Sequence, residues 1–263
     1  MRLKDSIAVL AGGGGSIGSG IAVRLAHEGA TIVVADLDQE AAKRVVQRVE
    51  AAGSEGRAVR LDVSEVASVE QMARMAVDVF GRIDILVNVF GTNNPPTPGV
   101  ELAVSEFQRV LDVNLTGVFR CCRTVGAIMR EQRQGKIVNI ASINGVIPPV
   151  LGIAYNVSKA GVLSLTRTLA YELAPFNVQV NAVNPGPVDT PLVAHVFERR
   201  AARMGMTAEA YSERLRTDAP TRRLTAIEDV AAAVAFLASR DADNIVGVAL
   251  DVSGGLLVIP NSI

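Results

Sequence analysis

Tyr155 and Lys159 stand four residues apart in Tyr155-Asn156-Val157-Ser158-Lys159, shortly after an apolar run that ends at Ser142. On a helix, residues at i and i+4 share a face with Cβ atoms about 5–6 Å apart, so this phenol and this ammonium can address one pocket. A phenol with a pKa of about 10 is a poor proton-transfer group at neutral pH unless its anion is stabilised. An opposite charge at short range supplies that stabilisation. The same spacing also describes a surface pair on a solvated helix. The rest of the chain has to decide between the two.

Short β-branched runs alternate with longer amphipathic stretches from the start of the chain. Strands are expected at residues 6–10, 31–35, 57–61, 84–88, 136–140 and 178–182, with helices at 17–28, 37–52, 65–80, 105–130 and from Tyr155 to residue 174. Gly29, Gly53 and Gly81 act as stop signals between them. Near-continuous apolar strands, each separated by a helix, indicate a parallel sheet covered on both faces. Pro185-Gly186-Pro187 reads as a turn, and residues 192–218 as two short charged helices around Gly205, with Thr207 as the N-cap of the second. A helix at 227–239 and a strand at 247–252 complete the pattern. The expectation is one α/β domain over residues 1–263, a doubly wound parallel sheet of about seven strands, with a helical lid at about 190–218 that carries specificity.

The totals narrow the function classes. Of 263 residues, 49% are hydrophobic and 20% charged, as in a globular protein with an ample core. A net charge of −1 gives no electrostatic footprint for nucleic acid or an anionic membrane. The only cysteines, Cys121 and Cys122, are adjacent, which implies no disulfide framework and fits a reducing compartment. His27 and His195 show no ligand spacing to them, so no metal site is expected. No signal peptide and no run approaching about 18 apolar residues is present, so a cytoplasmic protein is expected.

Ala11-Gly12-Gly13-Gly14-Gly15-Ser16-Ile17-Gly18 joins the first strand to the first helix. Glycines let the backbone turn tightly and approach a pyrophosphate, whose charge is favoured at a helix N-terminus. A literal G-x-G-x-x-G falls at Gly13, Gly15 and Gly18, but so many glycines make accidental matches easy. Its position after a strand and before a helix is the confirming context. A P-loop is excluded, because no Gly-Lys-Ser or Gly-Lys-Thr follows. Asp36, at the end of the second strand, can accept from the adenosine ribose hydroxyls and would repel a 2′-phosphate, favouring NAD over NADP. It could also serve as a helix N-cap, a role compatible with the first. Asp62, ending the third strand, could meet the adenine amino group or N-cap the next helix. Methyltransferases dependent on S-adenosylmethionine share a glycine loop and a strand-two acid, so this end alone does not identify a dehydrogenase.

With both ends in view, the chain resembles the short-chain dehydrogenase/reductase family over nearly its whole length. The family's Thr-Gly-x-x-x-Gly-x-Gly falls on Ala11, Gly12, Ser16 and Gly18, with alanine in place of the threonine and serine in place of the middle glycine. Its Asn-Asn-Ala-Gly appears as Asn88-Val89-Phe90-Gly91. Asn114, Ser142, Tyr155 and Lys159 match its four catalytic positions in order, and Asn184-Pro185-Gly186-Pro187-Val188-Asp189-Thr190 matches its Pro-Gly turn. The resemblance implies hydride transfer between a nicotinamide and a carbinol or carbonyl carbon. Tyr155 would be the proton donor or acceptor, Ser142 would bind the substrate oxygen, and Lys159 would hold the nicotinamide ribose and lower the tyrosine pKa. Asn114 would kink its helix and keep a water in a proton relay. Expected dinucleotide contacts are Gly12, Gly15, Ser16, Ile17, Gly18, Asp36, Leu37, Asp62, Val63, Asn88, Gly91, Tyr155, Lys159, Pro185, Gly186, Val188 and Thr190.

For the substrate, the candidates are Ser142, Tyr155, Asn93, Asn94, Asn144, Val150, Leu151, Gly186, Pro187 and His195 on the lid. Asn144 could bind a hydroxyl vicinal to the reacting carbon, as in family members acting on polyols, sugars, diols or hydroxy-ketones, or could merely fix its turn. Lone lid histidines are often solvated. A 3-oxoacyl-thioester reductase is the nearest competitor within the family, and a non-catalytic dinucleotide sensor is the competitor from another class. The resemblance also implies a homotetramer, with the helices of residues 105–130 and Tyr155 packed across one axis and the last strand and Leu256-Leu257-Val258-Ile259 at another.

Overall fold

Two apolar stripes on every central strand set the architecture. Successive strand residues point to opposite faces. Ala8, Leu10, Ile32, Val34, Ile85 and Val87 pack on one side, and Val9, Ala11, Val33, Ala35 and Leu86 on the other. Both faces therefore need helices. The computed structural model describes residues 1–258, without the side chains of 191–196. Strands β1 (Ile7–Ala11), β2 (Thr31–Asp36), β3 (Gly56–Arg60), β4 (Ile85–Asn88), β5 (Gly135–Ile140), β6 (Val178–Pro185) and β7 (Ala249–Val252) form one parallel sheet in the order β3-β2-β1-β4-β5-β6-β7.

Of the nine α-helices among the described residues, α1 (Ser16–His27), α2 (Gln39–Ala51) and α9 (Ile227–Ala238) cover the first face. Helix α3 (Val66–Phe80), then α5 (Gly117–Gln132) and α6 (Ile153–Leu173), cover the second. The short α4 (Val104–Leu111) leads into α5. Helices α7 (Pro191–Arg203) and α8 (Ala208–Asp218) form the insertion after β6, and Thr207 caps α8 by accepting the Ala210 N–H at 3.2 Å. Helices α1 and α9 cross so closely that a Cβ at Gly20 would collide with Ile227. The strand order reverses between β1 and β4, and ligand clefts open beyond the C-terminal ends of strands at such a point.

Two expectations change. The helix expected over 105–130 is interrupted by a π-helical turn at Asp112–Thr116. A turn of this kind adds one residue within a continuous helical run, and the coarse apolar pattern that places the helix does not resolve so local a phase shift. The sixth strand continues past residue 182 to Pro185, because β7 pairs with Ala182, Val183, Asn184 and Pro185. Pro185 is tolerated as the last residue of that strand, where its missing N–H leaves no gap in the ladder. Among the described residues no helix is long and apolar enough to cross a membrane, and no cluster of three metal-ligating side chains occurs.

Candidate active site

Ser142 lies two residues beyond β5, with extended backbone and an 8% exposed side chain. It begins a single 3-10 turn, and its Oγ accepts the Asn144 N–H at 3.1 Å. Tyr155 occupies the first turn of α6. That helix has no side-chain cap on its own N-cap residue, Gly152. The cap comes instead from Asn94, whose Oδ1 accepts the Tyr155 N–H at 3.3 Å while its Nδ2 donates to Pro95 O and Leu151 O. Asn94 is therefore a latch between the β4 loop and the tyrosine helix, with its side-chain atoms committed to that task. Arg109 of α4 holds the same loop through Thr92 Oγ1 and Asn93 O. Neither role was visible in the sequence.

Lys159 is one turn further along α6 and only 3% exposed. Its Nζ donates to Ile140 O at 2.7 Å and lies 5.7 Å from the Tyr155 ring centroid. Burial lowers its pKa to about 8. Burial likewise raises the Tyr155 phenol above its ordinary value, against the pull of the Ser142 hydroxyl and the charge of Arg200. The expectation that the ammonium makes this phenol unusually acidic is thus not met. Nζ is aimed at a backbone carbonyl rather than the phenol oxygen, and apolar surroundings penalise the phenolate. Ser142 and Arg200 are the groups that favour ionisation here.

Asn114 is completely buried in the π turn. Its Oδ1 accepts Thr92 N–H at 2.7 Å, and its Nδ2 donates to Thr92 O at 2.8 Å and Ser158 Oγ at 3.0 Å. The helix is distorted at this residue, as expected. Its amide is engaged with protein groups, so any part in a relay falls to its backbone. Gly91 lies between the two sites: a Cβ there would be 3.5 Å from Asn114 Oδ1 and 3.7 Å from Lys159 Nζ.

At the nucleotide end, Gly12 has φ +83°, and a Cβ there would stand 2.6 Å from Phe90. At Gly18 a Cβ would press to 2.7 Å on Gly12 O. These two positions need glycine. Gly15, the N-cap of α1, faces open space. Helix α1 begins with no side-chain cap and no acidic residue in its first turn. Ser16 is exposed there and Ile17 half-buried. Free N–H groups at a helix start, beside a backbone with no side chains, fit a pyrophosphate.

Asp36 Oδ2 accepts Gly14 N–H at 2.9 Å and Oδ1 accepts Asp38 N–H at 3.0 Å. The N-cap of α2 is Asp38, which accepts from Glu40 and Ala41. The capping alternative for Asp36 therefore falls, and its carboxylate stands at the cleft rim beside exposed Leu37. Capping also fails for Asp62: α3 starts after Glu65, and Asp62 Oδ1 accepts Ser64 Oγ at 2.6 Å and Ser64 N–H at 3.0 Å. Those bonds hold the Asp62 carboxyl below its ordinary pKa. Val63 O accepts from Arg120.

The Asn88 side chain is engaged within the protein. Its Nδ2 donates to Asn139 Oδ1 at 2.8 Å and to Cys122 Sγ, so the side chain is turned into the core. Beyond β6, Gly186 N–H donates to Val252 O, and a Cβ at Gly186 would stand 3.0 Å from Ser253 Cα. Val188 bridges Thr225, and Thr190 is buried where the chain enters α7. Among the substrate candidates, Asn93 and Asn144 are half-buried, and neither side chain makes a hydrogen bond among the described residues. Val150 is exposed, and Leu151 has φ +63°, a strained conformation for leucine. The side chain of His195, like Ile259, lies outside the described residues.

The comparisons agree with this geometry. The family model described as enoyl-(acyl carrier protein) reductase matches residues 12–257. The chain is 38% identical over 260 residues to 3beta-hydroxysteroid dehydrogenase 1 of Eggerthella lenta, covering 98% of this chain and 96% of that one. It is 36% identical over 255 residues to cis-4-hydroxycyclohexanecarboxylate dehydrogenase of Sinomonas cyclohexanicum, covering 97% and 98%. Among solved structures, NAD+-bound xylitol dehydrogenase superposes with a TM-score of 0.94 at 32% identity, covering 97% of this chain and all of that one. With the serine, the tyrosine and the lysine gathered at the switch point of such a sheet, the chain belongs to the short-chain dehydrogenase/reductase family of oxidoreductases.

Proposed function

We propose that this protein is an NAD(H)-dependent oxidoreductase that interconverts a small polar secondary alcohol and its ketone. The observation that carries the reading is the meeting of Ser142, Tyr155 and Lys159, joined through Phe90-Gly91 to the Gly12–Gly18 turn that Asp36 braces. The bound dinucleotide supplies the hydride acceptor or donor at nicotinamide C4. Everything else is position and proton traffic.

In the reduction direction, Tyr155 donates its phenol proton to the carbonyl oxygen, a role that suits a phenol kept protonated by burial; in the oxidation direction its phenolate, the phenol proton first passed to solvent, takes the carbinol proton. Ser142 Oγ–H donates to the same substrate oxygen and stabilises the developing alkoxide in a site where burial strengthens each interaction. Lys159 would hold the ribose hydroxyls and, with its pKa lowered by burial to about 8, could pass a proton onward. Asp36, which already accepts the Gly14 N–H, would accept from the adenosine ribose and repel a 2′-phosphate, which supports NAD rather than NADP. The free amides of Asn93 and Asn144 support a substrate with hydroxyl groups near the reacting carbon: a polyol, a sugar, a diol or a hydroxy-ketone.

The experiment is a screen of such alcohols with NAD and NADP, following NADH absorbance. In it, Tyr155→Phe is expected to lose at least about a hundredfold in kcat, because general acid–base catalysis is worth about 10²–10⁴. NADH affinity, read by fluorescence, should stay within about twofold. A variant that keeps more than about a hundredth of the rate would remove Tyr155 from the mechanism.

A further inference from the structure

Arg200, on α7, brings its guanidinium to the start of the tyrosine helix. Its Nη2 lies 3.1 Å from the point where a Cβ of Gly152 would stand. Gly152 is the N-cap of α6, three residues before Tyr155. Among the described residues no carboxylate pairs with this guanidinium. The place is a poor one for a lone cation, because the N-terminal end of a helix is itself positive. No acidic residue occupies the first turn of α6 to compensate.

A second group faces the same point. Asn156, 7% exposed, donates its Nδ2 to Pro149 O at 2.8 Å, while its buried Oδ1 has no hydrogen-bond partner. That Oδ1 lies 3.2 Å from the same Gly152 Cβ position. Buried polar atoms are nearly always paired, so this enclosed orphan acceptor beside the guanidinium marks a place for a further donor. Among the described residues, the start of α6 thus holds an unpaired cation and an unpaired acceptor about one helical turn from the proton-transfer group.

Resting on the alcohol–ketone reading above, we propose that Arg200 is a substrate-binding residue that selects hydroxy-carboxylates and the matching keto acids, pairing with a carboxylate on the part of the molecule away from the reacting carbon. A guanidinium binds a carboxylate through two parallel N–H···O bonds, which fixes orientation as well as affinity. An anion there would also relieve the clash between the guanidinium and the helix start. Asn156 Oδ1 would accept a hydrogen bond from a hydroxyl of the same substrate. A lysine at this position keeps the charge and loses the fork.

The test compares C4–C8 secondary-alcohol carboxylates with their primary amides in the full chain, as wild type, Arg200→Lys and Arg200→Gln. The readout is the ratio of kcat/KM for acid over amide, which cancels any effect of the Arg200 charge on Tyr155. The wild type should favour the acid at least tenfold, Arg200→Lys should keep part of that preference, and Arg200→Gln should bring it within about twofold of unity. An unchanged ratio in Arg200→Gln overturns the proposal. Calorimetry with an unreactive pair, cyclohexanecarboxylate and cyclohexanecarboxamide, on the NADH-loaded protein gives a reading that needs no turnover. Carboxylate binding that weakens at least tenfold in Arg200→Gln supports the site even if no alcohol is oxidised, in which case the reaction reading fails alone. Absent or Arg200-independent carboxylate binding, beside normal oxidation of neutral alcohols, sinks the anion site and leaves the reaction reading intact.

Discussion

At the scale of single residues, burial decides more than charge pairing. Lys159 has a folded-state pKa of about 8 against an ordinary 10.5. Between those values the unfolded chain binds more protons than the folded one, so stability rises with pH through this window. Below pH 8 the full cost of the buried ammonium is present, and above about 10.5 it is gone. A difference of this size corresponds to about 3 kcal/mol. Chemical denaturation of wild type and Lys159→Met from pH 7 to 10 should show the wild type gaining on the variant by an amount of that order; parallel curves would contradict it. Asp36 gives a second test at this scale. Asp36→Ser removes the charge that repels a 2′-phosphate, and the NAD-to-NADP ratio of kcat/KM should fall at least about tenfold, equivalent to about 1.4 kcal/mol.

At the scale of elements, the long apolar runs were legible because each central strand is buried on both faces, and the caps and glycine stops were local signals. The π turn was not legible in the apolar pattern, which is too coarse to register one added residue; only the family resemblance implied a kink at Asn114. Nor was Asn94, because a cap supplied from 61 residues away leaves no mark beside the helix it caps. Arg200 was hidden for a third reason: an arginine among many in a charged insertion reads as solvated until the helix start it faces is known. The catalytic quartet was legible as types and spacing, whereas the electrostatic balance around Tyr155 depended on where Lys159 Nζ points. The Asn94 latch carries its own test. Asn94→Ala should lower stability by about 1 kcal/mol, the usual size of a lost cap, and reduce kcat by loosening the first turn of α6. A variant with unchanged unfolding midpoint and rate would dismiss the latch.

At the scale of the molecule, apolar side chains remain uncovered on the two helices that flank the site: Phe119 on α5, with Ile153 and Val157 on α6, are each at least 40% exposed. Tyr171, near the end of α6, is 86% exposed. We propose that these faces are covered by other copies of the chain in a homotetramer, with the half-buried edge strand β7 at a second contact. Light scattering should give the mass of four chains, and Phe119→Glu with Val157→Glu should shift it to a smaller species. A wild-type monomer at micromolar concentration would refute the assembly.

The close crossing of α1 and α9 has a consequence for how the protein is made. Gly20 lets helix α9, beginning at Ile227, lie directly on helix α1, which begins at Ser16. During synthesis the ribosome must therefore deliver some two hundred further residues before Ile21 and Leu25 acquire this cover. For that interval the emerging chain displays a greasy surface, the kind of exposure that draws chaperones or leads to clumping. Stalling translation just ahead of Ile227 should yield a nascent chain that holdases capture, and release should follow once α9 clears the exit tunnel.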